Sequence, residues 1–126
     1  MIDRFDHIVL TVRSLEATLS FYERVLSFER EIRPDAPASL KFGRQKINVH
    51  ESERTFEPKA ARPTPGAADF CLITQRSMDE IIAHLNDCGV TPVLGPVARI
   101  GAEGPMTSVY FRDPDANLVE IGRYDD

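Results

Sequence analysis

Three side chains of this 126-residue chain are of the types that together hold a divalent cation: the imidazoles of His7 and His50 and the carboxylate of Glu120. Two histidines and one acid suit Fe, Mn, Ni, Co or Zn and leave coordination positions open for a substrate. Positions 7, 50 and 120 match no local ligand motif, so three separate elements must carry them. Strand alternation sorts side chains by face with a period of two. In Asp6–Val12, His7, Val9 and Thr11 oppose the aliphatic Ile8, Leu10 and Val12. In Lys46–His50, Lys46, Asn48 and His50 oppose Ile47 and Val49, and in Asn117–Gly122, Leu118 and Glu120 oppose Val119 and Ile121. The aliphatic faces suit amphipathic helices, which leaves His7, His50 and Glu120 on the side away from them. Asp69 opens a fifth strand in the slot equivalent to His7, as a fourth ligand or as a partner to the ligands.

The elements that must position these groups follow from the chain order. After the first strand, Leu15, Leu19, Tyr22 and Leu26 form one stripe of a helix that Ser14 is placed to cap. Short strand-like segments follow at Glu29–Arg33, Ser39–Phe42 and Lys46–His50, punctuated by Pro34, Pro37 and Gly43. The polar stretch Glu51–Gly66 reads as a long connection. Ala68–Thr74 then restarts the pattern as a strand. Ser77-Met78-Asp79-Glu80 is a capping box, and Met78, Ile81, Ile82, Leu85 and Cys88 form a second apolar stripe ending at Gly89. Strands at Thr91–Val97, Met106–Phe111 and Asn117–Gly122 complete the half. Each half reads strand, helix, three strands, over residues of about 1–55 and 66–126. The fold class is therefore α+β within a single domain. Laid over each other by their last strands, the halves place His50 on Glu120.

Composition bounds the function. Apolar residues make up 42% and charged residues 28%, which excludes a disordered chain. Fifteen basic against twenty acidic residues give a net charge of −5, poorly suited to a nucleic-acid backbone. Arg44, Lys46, Lys59 and Arg62 remain able to serve a small anionic ligand. No apolar run is long enough to span a membrane, and the charged start shows no secretory signal, so a cytoplasmic protein is expected. Cys71 and Cys88 read as small buried hydrophobes rather than a disulfide, and His84 as a surface residue.

Asp6-His7-Ile8-Val9-Leu10-Thr11-Val12, Phe21-Tyr22-Glu23-Arg24-Val25-Leu26 and Tyr110-Phe111-Arg112-Asp113-Pro114-Asp115-Ala116-Asn117-Leu118-Val119-Glu120-Ile121 together resemble the vicinal oxygen chelate superfamily. It includes glyoxalase I, bleomycin-resistance proteins, fosfomycin-resistance enzymes and extradiol dioxygenases. Phe42-Gly43-Arg44-Gln45-Lys46-Ile47-Asn48-Val49-His50-Glu51 is similar to the branch holding glyoxalase-domain-containing protein 5 and bacterial virulence-protein relatives. The resemblance implies two βαβββ modules forming a curved mixed sheet, a cup or barrel with helices outside. It also implies metal ligands on the first and fourth strands of each module, and a homodimer. The four slots would hold His7, His50, Asp69 and Glu120. Asp69 departs from the His or Glu usual in glyoxalase-like relatives, and Ala116 stands where relatives often carry Gly.

The leading expectation drawn from the resemblance is a divalent-metal lyase or isomerase of glyoxalase type acting on a small oxygen-chelating, anionic substrate. His7, His50 and Glu120 would hold the metal, with Glu120 or Asp69 as the catalytic base. Arg44, Lys46, Asn48, Arg62 and Tyr110 would contact the substrate. Two alternatives stand beside it: an Fe(II) extradiol-type dioxygenase, and a non-catalytic dimeric protein that binds a drug or metabolite.

Overall fold

The computed structural model describes residues 1–126. The chain divides into two compact units, Met1–Ala67 and Ala68–Asp126. Unit 1 contains β1 (His7–Val12), α1 (Leu15–Leu26), β2 (Glu29–Glu31), β3 (Ala38–Phe42) and β4 (Gln45–Glu51). Unit 2 contains β5 (Asp69–Ile73), α2 (Met78–Asp87), β6 (Leu94–Gly101), β7 (Gly104–Arg112) and β8 (Leu118–Tyr124). The βαβββ order expected of each half is present. The strands pair into two four-stranded mixed sheets, ordered β1-β4-β3-β2 and β5-β8-β7-β6. In each, the first and last strands run parallel side by side, and the remaining pairs are antiparallel.

In unit 1 the helix covers the aliphatic face that alternation assigned to it. Leu10, Val12, Leu40, Ile47 and Val49 are buried, as are Leu19, Tyr22 and Val25 of α1. The buried stripe of α1 runs through Thr18, Leu19, Tyr22 and Val25, turned from the expected line, so that Leu15 and Leu26 are only half-buried. Tyr22, Phe28 and Phe42 stack in series, with centroids 5.8 and 4.4 Å apart. Ser14 caps α1 by accepting from the Ala17 amide at 3.2 Å, and Glu51 accepts from the Leu15 amide at 2.9 Å. The end of β4 is thereby tied to the first turn of the helix, where a carboxylate also meets the positive end of the helix dipole. Arg30 of β2 clips back onto α1, donating to Glu23 from Nε at 2.9 Å and to Glu16 from Nη1 at 2.9 Å.

Unit 2 buries Leu85 of α2 together with Val109, Phe111, Val119 and Ile121. Ser77 accepts from the Glu80 amide at 3.2 Å, so the capping box forms as read. The Asp113–Asn117 turn is the tightest polar cluster. Asp113 accepts from the amides of Asp115 at 2.9 Å and Asn117 at 3.0 Å, and from Asn117 Nδ2 at 2.8 Å. Asn117 Oδ1 in turn accepts from the Ala68 amide at 2.9 Å, which joins β5 to β8 at the first rung of their ladder. Ala116 completes the turn at φ 66°, in the left-handed region that favours glycine.

The Asp113 carboxylate is only 6% exposed, so removing it strands three donors out of water. Each such orphan costs about 1–3 kcal/mol. Asp113→Ala is expected to destabilise the chain by at least about 3 kcal/mol, read as a lower urea midpoint; a midpoint within error of the parent would contradict this role.

Candidate functional site

The strand register defines one sheet face away from the helix in each unit. In unit 1, β1 pairs with β4 as His7↔Lys46, Val9↔Asn48 and Thr11↔His50. Partners in register point to the same side, so these six side chains share the face away from α1, as alternation indicated. In unit 2, β5 pairs with β8 as Asp69↔Leu118 and Cys71↔Glu120, and β7 adds Tyr110 opposite Glu120.

The two registers correspond. Lys46 donates its amide to Asp6 O at 3.3 Å, and Leu118 donates to Ala68 O at 3.0 Å. His7 is thus equivalent to Asp69, and Lys46 to Leu118. Asn48, and not His50, is then the counterpart of Glu120, while His50 corresponds to Gly122. The overlay read from the sequence was displaced by two residues. His7 and His50 lie four residues apart along their paired strands, about 13 Å. Imidazoles standing side by side off a sheet at that backbone separation do not bring their nitrogens to the bonds of about 2 Å that one shared ion requires. His7 and His50 share a face but do not ligate one ion, which corrects the expected ligand trio.

His7 is well disposed for a ligand or proton-transfer role. Its Nδ1 lies 2.8 Å from Asp6 Oδ2. That hydrogen bond is the first cause holding the Asp6 carboxyl below its usual range, with the charges of Lys46 and Arg4 adding to it. Ionised Asp6 can only accept, so Nδ1 donates to it, and in the neutral ring Nε2 is the nitrogen that carries the lone pair. The ring is 43% exposed, open to an incoming group. Asp6 was not singled out in the sequence, although a carboxylate directly preceding the histidine is a visible signal.

His50 is of a different kind. It is 4% exposed, its ring lies 5.3 Å from that of Phe56, and its Nδ1 has no hydrogen-bond partner. Burial first, and the nearby Lys59 charge second, lower its pKa.

In unit 2, Asp69 and Glu120 sit on one face as diagonal neighbours, one row apart on adjacent strands. Cys71 is the register partner of Glu120, two residues along β5 from Asp69. Burial of its thiol first, and the Glu120 carboxylate second, push it up to about 11, although the residue as a whole is exposed. Both influences favour the neutral thiol over the thiolate. Tyr110, beside Glu120, accepts from Arg99 Nε at 2.9 Å, and the guanidinium lies 5.5 Å from the ring centroid. Arg99 escaped the sequence reading because its long side chain reaches across two rows of the sheet to meet Tyr110.

The remaining candidates divide cleanly. Lys46 and Asn48 face the same side as His7, and Asn48 Oδ1 is buried without a partner. Arg44 occupies the β3–β4 hairpin turn. Arg62 is exposed in the segment between β4 and β5, outside any element. Neither unit gathers three His, Cys, Asp or Glu side chains. The donors divide instead into one imidazole in unit 1 and two carboxylates in unit 2.

The depressed His50 pKa has a pH signature. Between its folded value and the ordinary 6.5, the unfolded chain binds the extra proton, so stability is complete above about 6.5 and is lost as pH falls through the folded pKa. Urea midpoints measured from pH 7.5 to 5 should fall more steeply for the parent than for His50→Gln, by at most about 1.4 kcal/mol per pH unit. Parallel profiles would refute the assignment.

Comparison with known proteins places this geometry. The glyoxalase/bleomycin resistance protein/dioxygenase superfamily model matches residues 4–121. The chain is 48% identical to virulence protein STM3117 of Salmonella typhimurium over 98% of its own length and 86% of the relative's. The crystal structure of that protein superposes with a TM-score of 0.97, covering 99% of each chain. Glyoxalase domain-containing protein RDO1 of Mycosarcoma maydis is 42% identical over 96% of this chain and 68% of the relative. A lactoylglutathione lyase from Agrobacterium tumefaciens shares the fold at 24% identity, with a TM-score of 0.73 over 97% and 94% of the two chains. With its paired βαβββ units and a match along nearly its whole length, the chain belongs to the glyoxalase/bleomycin resistance protein/dioxygenase superfamily.

Proposed function

We propose that the chain is a divalent-metal-dependent lyase or isomerase of glyoxalase type, acting on a small anionic substrate with neighbouring oxygens. The observation that carries this reading is the Asp6–His7 hydrogen bond, which engages Nδ1 and turns Nε2 outward. Metal-binding histidines commonly donate their second nitrogen to a carboxylate in this way. The donor types suit Ni, Zn, Mn or Co, with His7 the candidate ligand of unit 1 and Asp69 and Glu120 those of unit 2. Bound there, a metal supplies Lewis-acid polarisation of the substrate oxygens. Glu120, or Asp69 in its place, would take the proton from the carbon beside the carbonyl and return it to the neighbouring carbon. Tyr110 donates to a substrate oxygen while Arg99 holds its hydroxyl in place. Lys46, Arg44 and Arg62 attract the anionic end, and Asn48 orients the polar body.

The Fe(II) dioxygenase reading required both histidines on one ion and loses its basis with their separation. The binding-protein reading keeps one observation in its favour, that neither unit alone supplies three such donors.

Protein purified without chelators is expected to carry stoichiometric metal and to isomerise methylglyoxal hemithioacetal with one of Ni, Zn, Mn or Co. Glu120→Gln should lower kcat by about a hundredfold or more, and His50→Gln should leave turnover within a few-fold of the parent. Metal-free protein with no turnover for any ion would sink the enzymatic reading and leave the binding protein.

We read the functional unit as a homodimer. β6 is an edge strand, and it exposes Leu94 at 47% and Ile100 at 80%, an apolar edge that a second copy would cover. Light scattering should give twice the chain mass of 14.1 kDa, and Ile100→Lys should shift the protein towards monomer. A monomeric parent would contradict this.

A further inference from the structure

The row of the unit 1 sheet that contains His7 has an uncommon charge pattern. β3 pairs with β4 so that Lys41 lies directly opposite Lys46. Lys46 is also the register partner of His7, so all three point to the face away from α1. Arg44 lies in the intervening hairpin turn, where Gly43 takes φ 53° to make the reversal. Like charges placed directly opposite each other in a sheet are destabilising. Glu29, the register partner of Lys41, ends the row on one side, and Asp6 stands beyond His7 on the other. Neither carboxylate enters an ion pair with Lys41, Lys46 or Arg44. Three cations, none in a close ion pair, thus gather within six residues of sequence in a chain whose net charge is −5. An anion seated among them would relieve the repulsion and bring its attached carbon skeleton up to His7.

We propose that Lys41, Lys46 and Arg44 form an anion subsite beside His7 that takes the phosphate or carboxylate of a small-molecule substrate. It rests on the reading of this face as the substrate face, and adds Lys41, which alternation along β4 alone did not bring into view. Ammonium groups act here as point charges, and Arg44 supplies the planar fork that grips two anion oxygens at once. Removing one of three such cations should weaken binding about fivefold or more.

The test uses the full chain freed of metal with EDTA, so that no ion competes for the probe. Inorganic phosphate and acetate are titrated separately against the ¹⁵N-labelled protein, with sodium chloride at matched ionic strength as control. Saturable shifts are expected at residues of β3, the hairpin and β4, together with a rise in Tm that chloride does not reproduce. Phosphate binding tighter than acetate assigns a phosphorylated substrate; the reverse assigns a carboxylate. Lys41→Gln and Lys46→Gln should each weaken binding and remove the Tm rise, Lys41→Arg should retain both, and Arg24→Gln, on the helix at the other face, should change neither. Unsaturable shifts, shifts that chloride reproduces, or undiminished binding in Lys41→Gln and Lys46→Gln would overturn the subsite. Because no turnover and no metal enter the measurement, loss of the lyase reading would leave a positive result standing, and an active metalloenzyme without anion binding would remove this inference alone.

Discussion

Everything about the candidate site depends on the register of two parallel strand pairs. A parallel pair offers no tight turn to set its alignment, because its strands are joined by long connections. In unit 2 the alignment is held by polar groups at the strand ends: Asp113 organises the turn, and Asn117 Oδ1 takes the Ala68 amide. In unit 1 the corresponding hold comes from Glu51 on the first turn of α1 and from the Ser52 amide, which donates to Val12 O at 2.8 Å. A slip of one residue would turn the Asp69 and His7 side chains onto the helix faces. The acid-rich turn preceding β8 is therefore chiefly an anchoring device.

Much of this architecture is legible in the sequence because apolar periodicity records burial directly. The alternation of Ile8, Leu10 and Val12 against His7, Val9 and Thr11 identifies the helix-facing side of β1, and the same rule sorts β4 and β8. Capping residues mark both helix starts for the same reason: unpaired amides need a side-chain acceptor there. What alternation leaves open is position along a face. His50 and Asn48 have the same parity and differ only by one row, a distinction carried by hydrogen bonds between strands remote in sequence. Asp6 and Arg99 were missed for related reasons, since one acts through its neighbour's ring and the other through a reach across rows.

The two histidines of unit 1 show how environment separates chemically identical groups. His7 is exposed and supported by an ionised carboxylate, which orients it and keeps one nitrogen ready. His50, four residues further along the same face, is enclosed beside Phe56 and near a lysine, and both influences favour its neutral form. In unit 2 burial first, and the carboxylate of Glu120 second, suppress the ionisation of Cys71.

The outer strand of the unit 1 sheet has a consequence for handling the protein in concentrated solution. β2 is only three residues long, reads Glu-Arg-Glu, and has its arginine drawn back onto the helix. A stranger's backbone meeting that rim finds few rungs to pair with and two negative charges. The rim is thus a poor seed for runaway fibrillar growth, so lengthening it or neutralising its acids would trade shelf life for nothing gained in the fold.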